Sequence, residues 1–309
     1  LPLKSGYTWT DPVNISNSMT DSWGPEVVGD KEGNAYVIWI EEGGGNKNVY
    51  FNTNEKTGWG EPINGTSDIL IKEGPWPSIT IDKTKTVHMS YSARGPSTYD
   101  IFYNSYKNGK LNNNNKNIST TNVGGSARAN IAVDYNSLFI YLVWMDDENA
   151  PVGANAYWEI MLCYKDPDKD NWSYNKIIPT PSNRSYQPDI TVDGEGTAHV
   201  VWIDRRYYNN SIVWYSYNEE PTDVTKWSTP VSISDSTGVD FSSPQIGSDN
   251  NGNVYVVWEN MSQGNQEIFF NQKINEEWKE ITNISDTSAP SEQPTISVDK
   301  ETGDIYIAW

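Results

Sequence analysis

Arginine is the scarce cation of this sequence. Only five occur among 309 residues, which also contain 41 acidic residues, and a guanidinium offers a planar fork of hydrogen-bond donors that suits carboxylates. The five are Arg94, Arg128, Arg184, Arg205 and Arg206. Each lies beside a short apolar stretch, as in "TAHVVWIDRR" at 197–206. This placement predicts that strand ends deliver the arginines to a site for a polar ligand.

Carboxylate and aromatic residues occupy the same segments as the arginines. They are Glu41, Glu42, Asp146, Asp147, Glu148, Asp204, Tyr207, Glu259, Trp23, Trp76, Tyr186 and Phe241. Arginine, carboxylate and aromatic groups together are typical of a pocket that orients a polar ligand. We therefore predict ligand binding by the five arginines with Glu41, Glu259, Trp23 and Trp76. The alternative is a solvated surface on which pairs such as Arg205 and Asp204 neutralise each other.

A sixfold repeat positions these residues. Each copy has a strand ending in Asp, a polar turn and a strand ending in Trp or Tyr, as in "PDITVDGEGTAHVVW". The turn aspartates are Asp30, Asp82, Asp134, Asp193, Asp249 and Asp299, which are 50 to 59 residues apart. A third strand follows the first five copies, and a fourth usually opens with Trp. Four short strands per repeat of about 50 residues indicate a propeller blade.

The column of residues three positions before each terminal aromatic contains both histidines. Its members are Tyr36, His88, Tyr141, His199, Tyr255 and Tyr306. Because His alternates there with Tyr, we expect packing roles for both histidines rather than catalysis. The terminal aromatics, an odd number of residues away, face the other side of the sheet, where blades meet.

The fold class predicted is all-β, a six-bladed propeller of four-stranded antiparallel blades in a single domain, 1–309. The blades span approximately 17–64, 65–118, 119–178, 179–234 and 235–284, and the closing blade combines 285–309 with 1–16. "YTWTDPVNIS" at 7–16 resembles the outer strands, whereas the third strand of the closing blade is missing from this sequence. We expect chain beyond Trp309 to supply it, or a neighbouring molecule to donate it and so drive self-assembly.

Composition excludes several partners. A formal charge of −19 repels phosphate backbones, so nucleic acid is not an expected partner. No stretch is long and apolar enough to enter a membrane. A lone cysteine, Cys163, excludes an intrachain disulfide. Few arginines, many asparagines and the acidic surface favour a secreted or cell-surface protein of a prokaryote.

Two further patterns are weaker. "DPDKDN" at 166–171 spaces Asp166, Asp168 and Asp170 as calcium loops do, but it lacks the glycine and the twelfth-position glutamate, so no cofactor is expected and Ca²⁺ stays an alternative. Eight Asn-x-Ser/Thr sequons could carry glycans. They begin at Asn14, Asn64, Asn117, Asn171, Asn183, Asn209, Asn260 and Asn283.

The repeat "PDITVDGEGTAHVVWIDRR", followed by "SIVWYS" and "KWSTPVSIS", resembles sialidase-like propellers of the bacterial neuraminidase repeat type. The resemblance implies arginines that clamp a sugar carboxylate, with Asp146, Asp147 or Asp204 as acid and Tyr186 or Tyr207 as nucleophile. The Ser-x-Asp-x-Gly-x-x-Trp box of that family is missing, with "NTNEKTGW" at 52–59 as its nearest counterpart.

These observations favour a binding module outside the cell or on its surface that recognises a glycan or a protein partner through the arginine-bearing rim. A sialidase-like glycoside hydrolase using the same rim is the first alternative. The second is a structural module of a surface layer or filament, completed by a neighbour's strand.

Overall fold

The structure, a computed structural model, consists of antiparallel β-sheets joined by short turns. It describes residues 11–309 except 44, 56–57, 67–68, 70, 72–73, 95–97, 113, 121–123, 150–156, 174–175, 183, 208–209, 235–240 and 262–263. The strands form six sheets, each built from consecutive segments of the chain. This order follows from the repeat, because each copy carries the turn residues that fold it back on itself.

The first sheet contains β1 (Asp21–Gly29), β2 (Ala35–Gly43), β3 (Asn46–Thr53) and β4 (Ile63–Asn64). The second contains β5 (Ser78–Ile81), β6 (Val87–Arg94), β7 (Tyr99–Lys107), β8 (Lys110–Leu111) and β9 (Lys116–Asn117). The third contains β10 (Ser126–Val133), β11 (Ile140–Asp146), β12 (Glu159–Lys165) and β13 (Lys176–Ile177).

The fourth sheet contains β14 (Ser185–Val192), β15 (Ala198–Tyr207), β16 (Asn210–Asn218) and β17 (Val231–Ser232). The fifth contains β18 (Phe241–Ser248), β19 (Val254–Asn260), β20 (Glu267–Ile274), β21 (Glu277–Trp278) and β22 (Thr282–Asn283). The sixth contains β23 (Thr295–Val298) and β24 (Ile305–Ala308). The six antiparallel sheets agree with the predicted number of blades.

Each repeat aspartate closes the turn between the first and second strands of its sheet. Asp193 Oδ1 accepts the backbone N–H groups of Glu195 and Thr197 at 2.9 Å, and Asp30, Asp82, Asp134, Asp249 and Asp299 accept equivalent bonds. The second oxygen holds the aromatic column: Asp193 Oδ2 lies 3.0 Å from His199 Nε2. His199 Nδ1 contacts the Tyr215 hydroxyl at 2.7 Å. The histidines therefore serve packing, as the column predicts.

The core is divided among the junctions between adjacent sheets. One cluster joins Tyr141 and Leu162 of the third sheet to Ile190 and Trp202 of the fourth. Another joins Val213 of the fourth sheet to Trp258 of the fifth. Terminal Trp residues thus face the preceding sheet, where burying an indole removes a large apolar area from water.

The outer strands explain three of the eight sequons. In the first sheet Thr66 Oγ1 accepts the Val49 N–H at 2.9 Å, while Gly65 N donates to Val49 O. Ser119, Ser234 and Ser285 repeat this bond to Ile101, Val213 and Ile268. The hydroxyl that follows Asn64, Asn117 or Asn283 therefore pairs an edge amide of the third strand, so these sequons recur for a structural reason.

The other sequons differ in exposure. Asn14 and Asn171 are exposed, and Asn183 and Asn209 lie outside the described residues. Asn260 is buried at the end of β19, which argues against a glycan there. Glycosylation at the exposed sites stays a prediction. Among the described residues, no helix has the length and apolarity that crossing a bilayer requires.

Candidate functional site

A cavity opens where the first strands of five sheets meet. It has a volume of about 180 Å³ and is lined by Trp23, Gly24, Glu26, Ile40, Trp76, Pro77, Arg128, Ala129, Asn130, Gln187, Pro188, Ser243, Pro244 and Gln245. We call this cavity the channel mouth. Sheets one to five each contribute residues, so the pocket depends on their arrangement around a common centre.

A bulge in the first strand of the first, third, fourth and fifth sheets shapes the channel mouth. Gln187 and Pro188 together oppose Trp202, so the pairing shifts between Tyr186 and Asp189. The first bulge residue has a positive φ of 51° at Gln187. Gly24, Trp76, Arg128, Ser243 and Gln293 hold the same left-handed conformation in the other sheets. Such bulges turn side chains out of the regular alternation, which brings five of these residues to the cavity.

Arg128 and Trp76 form the most ordered contact of the channel mouth. The guanidinium carbon lies 4.8 Å from the centroid of the Trp76 ring, a cation–π arrangement. Burial and then the positive charge of Arg205 lower the pKa of Arg128. Two guanidinium groups therefore lie close enough to repel, and an anion between them would relieve that repulsion.

Arg205 and Arg184 surround Tyr186 beside the cavity. The Arg205 guanidinium carbon is 5.5 Å from the Tyr186 ring centroid, and Arg205 N donates to Arg184 O at 2.9 Å. Burial raises the pKa of Tyr186, while Arg184 and Arg205 oppose that rise. Trp158, whose ring centroid is 6.5 Å away, covers the tyrosine from the third sheet. Arg205 thus lies near both Arg128 and Tyr186, and Arg184 lies near Tyr186, while Arg128 alone of the three lines the cavity. Ligand binding by these arginines stays a prediction.

The other predicted ligand residues are dispersed. Trp23 lines the cavity, and Lys47 Nζ sits 5.1 Å from its ring. Glu41 is buried and accepts the Trp39 Nε1–H at 3.0 Å. Glu259 is buried and accepts bonds from Ser242 Oγ and from Gln293 N. Glu41 and Glu259 therefore anchor the rim from beneath rather than face a ligand.

Two of the predicted catalytic acids are also structural. Asp146 is buried and accepts bonds from Ser126 Oγ at 2.6 Å, Trp144 Nε1 at 3.0 Å and Glu148 N at 2.8 Å. Asp204 is fully buried and accepts from Ser182 Oγ at 2.8 Å. Both satisfy buried donors below the rim, so they do not face the cavity.

The remaining rim residues fall into two groups. Asp147 is half-buried and accepts from the Gly125 N–H, and Arg94 is exposed at the end of β6. The backbone of Arg206 and Tyr207 continues β15 and that of Phe241 opens β18, but their side chains lie outside the described part of the chain. The structure therefore assigns no contact to those three side chains.

Glu26 is the acid in the cavity that the sequence analysis missed. Glu26 lies on β1 and lines the channel mouth, where its side chain remains exposed to solvent. Burial and then the charge of Asp189 raise the pKa of Glu26 to about 7. Burial likewise raises the pKa of Asp189 to about 7, although the hydrogen bonds that it accepts from the Ile246 and Ile190 N–H groups act to lower it. A carboxyl that holds its proton near neutrality can donate a hydrogen bond or act as an acid.

Amide side chains also connect the sheets around the cavity. Gln187 Oε1 accepts the Ser243 N–H at 2.9 Å, and Asn130 Nδ2 donates to Pro188 O at 2.7 Å. The signal that could have found these residues is the proline that follows the bulge residue in five of the six repeats. They are Pro25, Pro77, Pro188, Pro244 and Pro294.

The proposed calcium loop holds an ion pair. Lys169 Nζ is 2.7 Å from Asp166 Oδ2, and the Asp168 N–H donates to Asp166 Oδ1 at 3.0 Å. Asp168 and Asp170 are exposed. Across the described residues, no three His, Cys, Asp or Glu side chains gather as a metal site would require.

Comparison with solved structures identifies the architecture. No family model and no curated protein matches the chain. An α-L-arabinanase of Penicillium chrysogenum complexed with arabinobiose superposes with a TM-score of 0.61 at 14% identity, covering 91% of this chain and 86% of that one. A Hadza microbial sialidase gives 0.53 at 12% identity, covering 83% of this chain and 58% of that one.

The chain has a sialidase-like β-propeller fold. A polysaccharide lyase, an ulvan lyase bound to a glucuronic acid–sulfated rhamnose repeat, is also similar, with a TM-score of 0.55 at 9% identity, over 80% of this chain and 66% of that one. At such identities the likeness shows the fold alone. The resemblance drawn from the repeat is thus confirmed, and each sheet of this β-propeller corresponds to a blade.

Proposed function

We propose that the channel mouth binds the terminal unit of a glycan that carries an anionic group. The observation that carries this proposal is the Arg128 guanidinium held over the Trp76 ring at the cavity wall, with Arg205 close by. Two guanidinium groups held near each other repel, and an anionic ligand bound between them would offset that repulsion.

Size and chemistry support a sugar. A cavity of about 180 Å³ is smaller than the roughly 300–1,000 Å³ of a drug-sized site, so it accommodates a chain end rather than an internal segment. Aromatic faces such as Trp76 and Trp23 suit the apolar face of a sugar ring, while Gln187 and Asn130 offer hydrogen bonds to hydroxyls. Several proteins of this fold act on carbohydrates. We place this binding outside the cell or at its surface.

A glycan array followed by titration calorimetry tests the proposal. Oligosaccharides ending in an acidic sugar should bind, and the matched neutral ones should not. Arg128→Ala and Arg205→Ala should each weaken binding by about 10- to 100-fold, since a charge-assisted hydrogen bond contributes about 1.5–3 kcal/mol. The control, Lys226→Ala, removes an exposed cation that pairs with Glu220. Equal weakening by the control would contradict a site at the channel mouth.

A glycoside hydrolase is the second candidate, favoured by the raised pKa of Glu26 in the cavity. A carboxylic acid that is partly protonated at neutral pH can protonate a leaving-group oxygen. If the protein is a hydrolase, Glu26→Gln should abolish turnover of a glycan found by the array while its affinity stays within about threefold of the wild type. If the wild type binds the glycan but does not turn it over, the hydrolase candidate is wrong and the binding function remains.

A further inference from the structure

One side chain of the channel mouth differs from its counterparts in the neighbouring sheets. In sheets one to five the residue two positions after the left-handed residue of the first strand pairs with the residue just before the terminal aromatic. These five equivalent residues are all polar, and they are Glu26, Ser78, Asn130, Asp189 and Gln245. Their equivalent register makes their contacts directly comparable.

Four of the five use their polar groups within the protein. Ser78 Oγ accepts a backbone N–H of the third sheet at 3.3 Å, and Asp189 Oδ2 accepts one of the fifth sheet at 2.8 Å. Asn130 and Gln245 each donate from the side-chain amide to a backbone carbonyl group. Among the described residues, no hydrogen bond or ion pair engages Glu26. Its carboxyl is therefore available to a ligand in the cavity that it lines.

The charges around the cavity decide which form of Glu26 an anionic ligand favours. Arg128 on β10 lines the cavity, and Arg205 on β15 lies near Arg128. Asp189 on β14 acts on Glu26 with a charge of the same sign, and with burial it raises the pKa of Glu26 to about 7. The lining residues from β2, from β18 and from the link before β5 are uncharged. An ionised Glu26 would thus add a negative charge beside the ligand.

We propose that protonated Glu26 donates a hydrogen bond to the anionic group that Arg128 binds, so that the channel mouth takes up a proton together with its ligand. This inference rests on the proposed function of the channel mouth. Arg128 reaches the cavity from the third sheet and Glu26 from the first, so the two contact one anion from different sides. A protonated carboxyl supplies a donor without adding charge, whereas a carboxylate repels the anion. Affinity should therefore fall as the pH rises.

The opposite arrangement is an ionised Glu26 that accepts hydrogen bonds from sugar hydroxyls. A carboxylate in that role would need a cation or backbone donors beside it to offset the charge of Asp189 and of the ligand. The described residues place neither in contact with Glu26. The two arrangements predict opposite signs, because affinity would rise with pH if the ionised form were the one that binds.

Titration calorimetry at about pH 6, 7 and 8 tests the proposal with an acidic oligosaccharide found by the array. If only the neutral form of Glu26 binds, a pKa of about 7 gives about a tenfold loss of affinity from the lowest to the highest pH. A ligand carboxylate with a pKa of about 4 stays ionised throughout and adds no slope. Titrations at about pH 7 in phosphate and in Tris should show uptake of about half a proton per ligand.

Variants of Glu26 separate its charge from its hydrogen bond. Glu26→Gln keeps a donor and is always neutral, so its affinity should change less than about twofold between these pH values, without proton uptake. Glu26→Leu has no donor and should bind about tenfold more weakly than Glu26→Gln at about pH 6. The control, Glu280→Gln, lies at an exposed position between β21 and β22 and should keep the wild-type profile.

The outcomes distinguish this inference from the function on which it rests. Binding whose affinity rises with pH or is constant overturns the inference and leaves the proposed function standing. So does a pH dependence that survives Glu26→Gln, which assigns the proton to another group such as Asp189, or equal affinities of Glu26→Gln and Glu26→Leu. Absence of binding at all three pH values contradicts the proposed function itself, and the inference with it.

Discussion

At the scale of the residue, the carboxylates of this protein fall into two electrostatic classes. Burial alone would raise the pKa of Asp193, but the hydrogen bond from His199 and the turn N–H groups lower it overall. For Glu26, burial and then the charge of Asp189 raise the pKa to about 7. Asp193 thus stabilises the fold when ionised, whereas Glu26 favours its neutral form.

Glu26→Gln should flatten the pH dependence of stability. Because the folded pKa of Glu26 exceeds its unfolded value of 4.5, the neutral carboxyl contributes stability that is fully present below pH 4.5 and is lost as the pH rises through about 7. Glutamine stays neutral, so at pH 8 the variant should be more stable than the wild type. Thermal unfolding curves recorded from pH 4 to pH 8, at steps of about one pH unit, measure this difference in stability.

The matched control is Glu219→Gln, at an exposed position after β16. It should follow the wild-type profile. Some slope should persist in Glu26→Gln, because the pKa of Asp189 is raised in the same direction. A Glu26→Gln profile that coincides with the wild type at every pH would show that this carboxyl is ionised without cost.

At the scale of the element, the bulge in the first strands β1, β10, β14 and β18 connects folding to the site. It inserts two residues opposite the terminal Trp, as Ser243 and Pro244 do opposite Trp258. Proline after the left-handed residue removes an N–H that the interrupted ladder could not pair. Each of these bulges therefore interrupts the pairing and brings its residues to the channel mouth, so the site is a consequence of how the sheets begin.

Ser243 tests the backbone requirement of the bulge. Its φ is 51°, a left-handed conformation that glycine adopts readily and that a β-branched residue resists. Ser243→Gly should keep or slightly raise stability, whereas Ser243→Val should lose about 1–2 kcal/mol relative to it. Urea unfolding measures both. Equal stability of the two variants would show that the bulge relaxes without cost.

Thr66 tests the hydroxyl at the outer strand. Its Oγ1 is buried and accepts the Val49 N–H at 2.9 Å. Thr66→Ala leaves that amide without its partner and should cost about 1–3 kcal/mol. Thr66→Ser keeps the hydroxyl and should cost less, which guanidinium unfolding would show. If both variants lost the same stability, the methyl group rather than the hydrogen bond would hold the outer strand.

At the scale of the whole molecule, sheets two to five pack against a neighbour on both sides, while the sixth sheet has two strands among the described residues. Its link to the first sheet includes an ion pair between exposed Lys31 and Glu301, and such exposed pairs contribute little. The fifth sheet packs more closely on the sixth, since a Cβ added to Gly247 on β18 would lie only 2.6 Å from the Val298 side chain. Among the described residues, the contacts between the sixth and first sheets are therefore weaker than those between the fifth and sixth.

Hydrogen exchange should reveal this weakness. Amides of β24 should exchange faster than those of β19, the equivalent strand of the fifth sheet, because β19 is paired on both sides and buried. Mass spectrometry of peptides that cover 295–308 and 254–260 compares them. Equal protection in the free chain would mean that other residues protect the outer edge of β24.

The sequence by itself determined the sheets. The spacing of Asp30 to Asp299, the Tyr and His column and the terminal Trp residues specify strand pairing locally, because turn chemistry and alternation act within one repeat. The same local logic explains why His88 and His199 were recognised as structural.

Only the tertiary structure decided which charged residues face the site. Asp146 and Asp204 share the rim segments with Arg205 in sequence, but register and bulges bury the acids on Ser and Trp donors while Arg205 stays exposed. Glu26 became a site residue only because residues of five sheets surround the cavity that it lines and Asp189 lies near its carboxyl. Burial depends on residues distant in the chain, and no single repeat contains that information.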